Sequence, residues 1–167
     1  LPVRVIADKY TPTKSQRRIL RKNSNTDIQI TSNTFSEERY LIYKKHSAVR
    51  FGQKTSRERY IQDFCTSAAP SFIMEYRSGG VLFGTGYLDS ASDGLSSVYF
   101  AFDPDFSYLT PGILSCMIEI DTARTLGKKY YYPGYYVEGN TSMDYKIRFR
   151  PYEVYNWEDK TWNAPRA

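Results

Sequence analysis

A change of hydrophobic period at Pro70 constrains this chain more than any other feature. Upstream, apolar residues recur at helical spacing, as in Tyr60, Ile61, Phe64 and Cys65; downstream, Phe72, Met74 and Tyr76 alternate with Ile73, Glu75 and Arg77. A helix buries a stripe of period 3.6 and a strand a face of period 2, so helices precede a sheet. Ser78-Gly79-Gly80 supplies a tight turn, and Val81–Ser90 returns as a strand to close a hairpin. A turn at Ser92–Gly94 leads into a third strand, Leu95–Asp103, ended by Asp103-Pro-Asp. A helix begins near Thr110-Pro111, where proline is tolerated in the first turn. It carries Ile113, Leu114, Met117, Ile118 and Ile120 and stops at Gly127. Tyr130–Tyr132 reads as a short buried strand broken by Pro133-Gly134.

Capping patterns place the upstream elements. A strand at Val3–Ala7 opens the chain, and a helix runs from Thr13 or Ser15 to Lys22, with Asn23 at its end. Thr34-Phe-Ser-Glu37 has the capping-box pattern and predicts a helix carrying Tyr40, Leu41 and Tyr43 and ending near His46. Thr55-Ser-Arg-Glu58 repeats that signal for the next helix. The order is helix, helix, antiparallel hairpin, strand, long helix, strand, in a single domain spanning residues 1–167. The expected class is α/β (α+β), a mixed, mostly antiparallel sheet flanked by helices. This is the element order of the GNAT-like acyltransferase fold, in which a central strand splays from its neighbour and admits an acyl donor.

Composition narrows the function classes. At 41% hydrophobic and 25% charged, the chain can bury a core and is not disordered. No apolar run approaches the ~20 residues of a membrane span. The 23 Lys and Arg against 18 Asp and Glu leave a net charge of +5, which permits a polyanionic partner without demanding one. Sixteen tyrosines offer surfaces that either stack on bases or line a core with a polar edge. Two cysteines, Cys65 and Cys116, with one histidine make neither a zinc site nor a disulfide scaffold, so no metal is expected and a reducing cytoplasm fits best.

Three features are candidates for chemistry. Lys14, Arg17, Arg18 and Arg21 fall at i, i+3, i+4 and i+7, so they share a helix face suited to a phosphate backbone, or simply to solvent. Lys146, Arg148 and Arg150 alternate with Tyr145, Ile147 and Phe149, so an extended segment would present three cations on one face. That pattern suits a single-stranded RNA end or a solvated edge strand. Gly134-Tyr-Tyr-Val-Glu-Gly139 precedes it, with glycines that let a ligand approach the backbone. His46 is placed to contact an anionic group, to shuttle a proton, or only to complement a helix dipole. No Ser-His-Asp, Cys-His or paired-carboxylate arrangement is arguable, and Gly79–Gly84 belongs to a hairpin rather than a phosphate loop.

Several of these segments together resemble the arginyl- and leucyl-tRNA–protein transferases. They are Pro2-Val-Arg-Val, Ser15-Gln-Arg-Arg18, the helix ending at His46, and Asp93-Gly-Leu-Ser-Ser-Val-Tyr99 followed by Asp103-Pro-Asp105. Gly134-Tyr-Tyr and Met143-Asp-Tyr-Lys146 running into Arg148-Phe-Arg-Pro151 complete the set. The resemblance implies transfer of arginine or leucine from charged tRNA to proteins with an N-terminal Asp or Glu, marking them for degradation. It implies a GNAT-like catalytic part, here without the family's Cys-rich N-terminal module, and no cofactor beyond the charged tRNA as co-substrate. Relatives often carry a basic pair where this chain has Thr141-Ser142, and Asp144 follows. The resemblance suggests His46 for the acidic side chain, with Tyr135, Lys146 and Arg148 facing the aminoacyl end.

The tRNA ester is already activated, so positioning, a neutral amine and oxyanion stabilisation should suffice. Backbone amides near Tyr99 to Asp103, where the third strand splays, are the expected oxyanion donors. The expected site therefore comprises Tyr99, Asp103 and Lys146 at the chemistry, His46, Tyr135 and Arg148 around the substrates, and Lys14, Arg17, Arg18, Arg21 and Arg150 on tRNA. Two alternatives stand beside it: an acetyl-CoA-dependent GNAT N-acetyltransferase, and a basic RNA-binding module without catalysis. Against the first, Phe106-Ser-Tyr-Leu-Thr-Pro-Gly112 before the long helix is neither basic nor rich in glycine.

Overall fold

The computed structural model describes residues 1–141 and 143–165. Its central layer is an eight-stranded sheet of β1 (Pro2–Ile6), β2 (Thr26–Ser32), β3 (Ser71–Ser78), β4 (Val81–Ser90), β5 (Gly94–Phe102), β6 (Tyr130–Tyr135), β7 (Tyr152–Asn156) and β8 (Thr161–Asn163). The spatial order is β2-β3-β4-β5-β6-β1-β7-β8. All described pairings are antiparallel except β5–β6. The mixed, mostly antiparallel sheet expected from the sequence is therefore present.

Helices cover both faces of this sheet. On one face, α1 (Lys14–Lys22) and α4 (Pro111–Thr125) pack Ile19, Leu20, Leu114, Met117 and Ile120 against Val3, Val5, Met74, Tyr76, Phe83 and Tyr131. On the other, α2 (Glu37–Phe51) and α3 (Arg57–Phe64) pack Tyr40, Tyr43 and Tyr60 against Ile73, Tyr87 and Ala101. The alternation of β3 explains the split, since Ile73 serves one core and Met74 the other. Burying each such side chain contributes roughly 1.5–3 kcal/mol. Because both faces are covered, Glu75 is buried, and it is neutralised by Arg39 at 3.1 Å and Arg77 at 2.8 Å. Removing one partner of such a buried network costs about 3–5 kcal/mol.

The tyrosines mostly serve these cores. Tyr60 and Tyr87 meet hydroxyl to hydroxyl at 2.7 Å, which satisfies both polar tips inside an aromatic cluster. Both cysteines are free thiols, and burial pushes Cys116 up to about 12 and Cys65 upward as well. They act as small apolar groups rather than nucleophiles.

Several boundaries differ from the sequence expectation. Thr13 does cap α1: its hydroxyl accepts from the Gln16 amide while the Gln16 side chain accepts from the Thr13 amide. The box at Thr34 does not form, because α2 starts three residues later, with Ser36 at its N-cap. The next helix is capped by Ser56 rather than Thr55. The second helix does not end at His46 but runs to Phe51, because no residue breaks it before Gly52, whose φ of 64° closes it. The local pattern does not anticipate β2, β7 or β8. The predicted extended segment 145–151 is instead a 3-10 turn, Asp144–Arg148, followed by the fully buried Phe149 packed on Tyr10. Its physical cause is topological: β6 and β7 flank β1 on opposite sides, so their connection must cross the end of β1 and cannot stay extended.

Candidate functional site: the opening between two parallel strands

β5 and β6 pair over three positions only, Gly94 with Tyr130, Leu95 with Tyr131 and Ser96 with Tyr132. Beyond these, β5 continues to Phe102 on β4 and β6 to Tyr135 on β1 without pairing to each other, so the sheet opens into a V. A bulge accompanies the opening. Tyr99 sits opposite Tyr87 and Ser97 opposite Leu88, so Val98 has no partner on β4. Bulges re-aim a strand locally and are common beside functional sites. The splay thus starts at Ser97, upstream of the Tyr99–Asp103 amides expected as oxyanion donors. Two of those amides are already engaged: Asp103 N–H donates to the Phe83 carbonyl at 2.8 Å, and Phe102 N–H lies 3.3 Å from His46 Nδ1.

His46 and Arg50 reach this opening from α2. His46 Nδ1 is 3.0 Å from the Phe102 carbonyl oxygen, and its ring packs edge-on against Tyr99 and Phe102. Burial lowers its pKa, and the charge of Arg50 pushes the same way, while the Phe102 backbone bond opposes both. The ring is therefore uncharged at neutral pH, and its mid-helix position excludes the dipole-capping role. The positive charge comes from Arg50 instead, one turn further along the same face. Its guanidinium is exposed, makes no ion pair among the described residues, and lowers the pKa of His46, Tyr99 and Tyr145.

The other wall is the 3-10 turn. Lys146 is half-buried with its Nζ against Gly134 of β6: a Cβ at that glycine would stand 3.2 Å from it. Burial lowers the Lys146 pKa. Tyr145 is half-buried beside it, its phenol raised by burial and by the nearby Cys116 and Glu119. Tyr99 lines the β5 side, held between Tyr43, Phe64 and His46, and burial pushes it to about 12. Asp103 stands at the end of β5, where it caps the 3-10 turn Pro104–Leu109 and binds Lys45 at 2.5 Å. Tyr135 is exposed at the end of the β6 arm.

Lys14, Arg17, Arg18 and Arg21 are exposed on α1, whose opposite side carries the buried Gln16. Gln16 Nε2 donates to the Arg148 carbonyl at 3.3 Å, which ties the inner side of α1 to the 3-10 turn that carries the exposed Arg148. Arg150 lies over the Tyr152 ring at 5.6 Å. The predicted ladder of three cations on one face does not form, because Lys146 turns inward while Arg148 and Arg150 face solvent. Ser142, where the resemblance led us to expect a basic residue, lies outside the described residues.

Sequence reasoning missed Glu119. It is fully buried on α4, and Tyr131 Oη donates to its Oε2 at 2.6 Å. Burial raises its pKa to about 7, opposed by the Tyr131 and Ser97 hydroxyls. The sequence signal is an acid flanked by Ile118 and Ile120 with Ser115 and Ala123, not cations, one turn away. Among the described residues no three His, Cys, Asp or Glu side chains converge to hold a metal, and no helix is long and apolar enough to cross a membrane.

Comparison with known proteins agrees with this architecture. The chain is 31% identical over 158 residues to the aspartate/glutamate leucyltransferase of Marinobacter nauticus, covering 92% of this chain and 67% of that protein. To the protein of the same name from Helicobacter hepaticus it is 28% identical, covering 99% and 71%. Among solved structures, FemX superposes with a TM-score of 0.63 at 8% identity, over 85% of this chain and 55% of that one. The ribosomal-protein-S18-alanine N-acetyltransferase of Escherichia coli gives 0.53 at 13% identity, over 83% and 90%. At these identities the likeness shows the fold, which is GNAT-like. The family described as arginine-tRNA-protein transferase, C terminus, matches residues 38–156, from the start of α2 to the end of β7. The chain belongs to that aminoacyltransferase family and carries its C-terminal part.

Proposed function

We propose that the chain moves an amino acid from charged tRNA to the α-amine of proteins beginning with Asp or Glu, an N-degron tagging reaction. We take leucine as the amino acid rather than arginine, as in the names of those two relatives. The observation that carries this reading is the V beyond Ser96 and Tyr132, rimmed by the exposed Arg50 guanidinium and by Lys146. Acetyl-CoA fits less well. Pro111 offers no amide at the start of α4, and aromatic Phe106 and Tyr108 occupy the preceding turn.

The acidic side chain of the acceptor binds Arg50, with neutral His46 fixing the β5 edge beneath it. Near pH 7 an appreciable fraction of an α-amine, with its pKa of ~7.7–8.0, is already neutral. Phe102 turns its amide and carbonyl toward His46, away from β4, so the alternation of the ladder turns the Phe100 amide to the same open edge. That amide replaces the Phe102 and Asp103 amides as oxyanion donor. Lys146 and Tyr135 hold the aminoacyl end, and the α1 stripe with Arg148 and Arg150 holds the tRNA phosphates. Tyr99 shapes the β5 wall, and Asp103 anchors α2 through Lys45.

The test is acceptor selectivity. Arg50→Glu should lower transfer to an Asp-starting peptide relative to an Asn-starting one by roughly 10- to 100-fold, the value of one charge-assisted hydrogen bond. An unchanged ratio would remove Arg50 from the acceptor site.

A further inference from the structure

Glu119 is bonded to Tyr131, in the short stretch where β5 and β6 still pair, and has no task in the reaction described above. Tyr131 on β6 donates to its Oε2 at 2.6 Å, and Ser97 on β5 stabilises its charged form from the other side. Oε1 has no hydrogen-bond partner of normal geometry among the described residues. It occupies the space left by Gly86, where a Cβ would come within 2.8 Å of it. A buried carboxylate that only braced Tyr131 would be expected to satisfy both oxygens, since an unpaired buried polar atom is costly. Ser97 is half-buried and is the first β5 residue past the last β5–β6 pair. Ser97 thus stands where the opening begins, and its hydroxyl acts on the Glu119 carboxylate.

We propose that Glu119 is a positioning residue that holds the reaction's proton through the Ser97 hydroxyl. The inference rests on the transfer reading above. The α-amine nitrogen attacks the ester carbonyl carbon, a C–N bond forms, and the bond from that carbon to the ribose oxygen breaks. One proton leaves the nitrogen, passes through Ser97 to Glu119, and returns by the same hydroxyl to the departing ribose oxygen. Atoms and charge balance with no further reactant.

The surroundings set when the carboxylate can accept that proton. Tyr131 faces it from β6, Ser97 from β5, Tyr76 from β3, Tyr145 from the 3-10 turn, and Cys116 from its own helix. Lys146 is the cation that acts on Cys116. Burial outweighs the two hydroxyls and brings Glu119 to about 7, where a relay group is near its best match to the working pH.

Glu119→Gln keeps the shape and the Tyr131 contact but cannot hold the proton. In the full-length protein we expect transfer to an Asp-starting peptide to fall by roughly 10²- to 10⁴-fold. The acid limb of kcat/KM below about pH 7 should change from a slope near two, for carboxyl and α-amine together, to about one, for the amine alone. Ser97→Ala, at a half-buried position, should reproduce the loss if the buried variant fails to fold. Transfer with an unchanged pH profile in both variants overturns the relay and leaves the transferase reading intact. Absence of transfer by the wild-type protein, from either leucyl- or arginyl-tRNA, overturns both.

Discussion

Replacing Glu119 by glutamine should change how the protein's stability depends on pH, whatever the reaction is. The carboxyl has an ordinary pKa of 4.5 when exposed and about 7 when folded, burial being the main cause. The folded state therefore keeps a proton that the unfolded chain releases, and stability falls as pH rises between those values. At 1.36 kcal/mol per pH unit the interval amounts to about 3 kcal/mol, fully lost above about pH 7. Glutamine cannot ionise, so the variant lacks this decline. Urea unfolding of both proteins from about pH 5 to 8 should give a difference that grows by about 3 kcal/mol in favour of Glu119→Gln. For a chain of this length that corresponds to roughly 6–12 °C in Tm. Comparing the pair cancels carboxylates of opposite sense, such as Glu38, which Arg77 holds below its usual value. Parallel curves would show that Glu119 ionises normally and would refute the buried, half-satisfied carboxylate.

Other consequences are separable from that one. If α1 binds phosphates, Arg17→Ala with Arg18→Ala should reduce the slope of log K against log salt by roughly 0.7–0.9 for each phosphate no longer neutralised, and an unchanged slope in tRNA titrations would assign the stripe to solvent. Gly86→Ala drives a Cβ to 2.8 Å from Glu119 Oε1 and should cost about 1–3 kcal/mol in denaturant unfolding, a destabilisation relieved in the Glu119→Ala background. His46→Ala removes the side chain that braces Phe102, so it should lower both Tm and peptide transfer while leaving tRNA affinity near normal; unaltered transfer would make the His46 interaction scaffold alone.

The hairpin, the third strand and the long helix are legible in the sequence because strong alternation and helical spacing are bounded there by Gly79-Gly80, Asp103-Pro104 and Gly127. β2 is not. It reads Thr-Asp-Ile-Gln-Ile-Thr-Ser, an edge strand with only two apolar residues, and its identity comes from pairing with β3. The cations at 146, 148 and 150 satisfy period 2 in sequence, yet the crossing from β6 to β7 imposes a 3-10 turn, which no local pattern encodes. The basic stripe on α1 is visible, but the tie from its helix to the 3-10 turn runs through the buried Gln16, separated from Arg148 by 132 positions. Arg50 escapes notice when the helix is ended one turn too early, and Glu119 because a single acid in an apolar run reveals a site only when the tertiary neighbours are known.

The most direct test of the transferase reading follows label from tRNA to peptide. The full-length protein is incubated with leucyl-tRNA or arginyl-tRNA carrying a labelled amino acid, and with peptides starting with Asp, Glu, Asn or Gln. The account predicts label on the α-amine of the Asp and Glu peptides, from leucyl-tRNA in preference to arginyl-tRNA, and far less on the Asn and Gln peptides. No label on any peptide from either tRNA would contradict it.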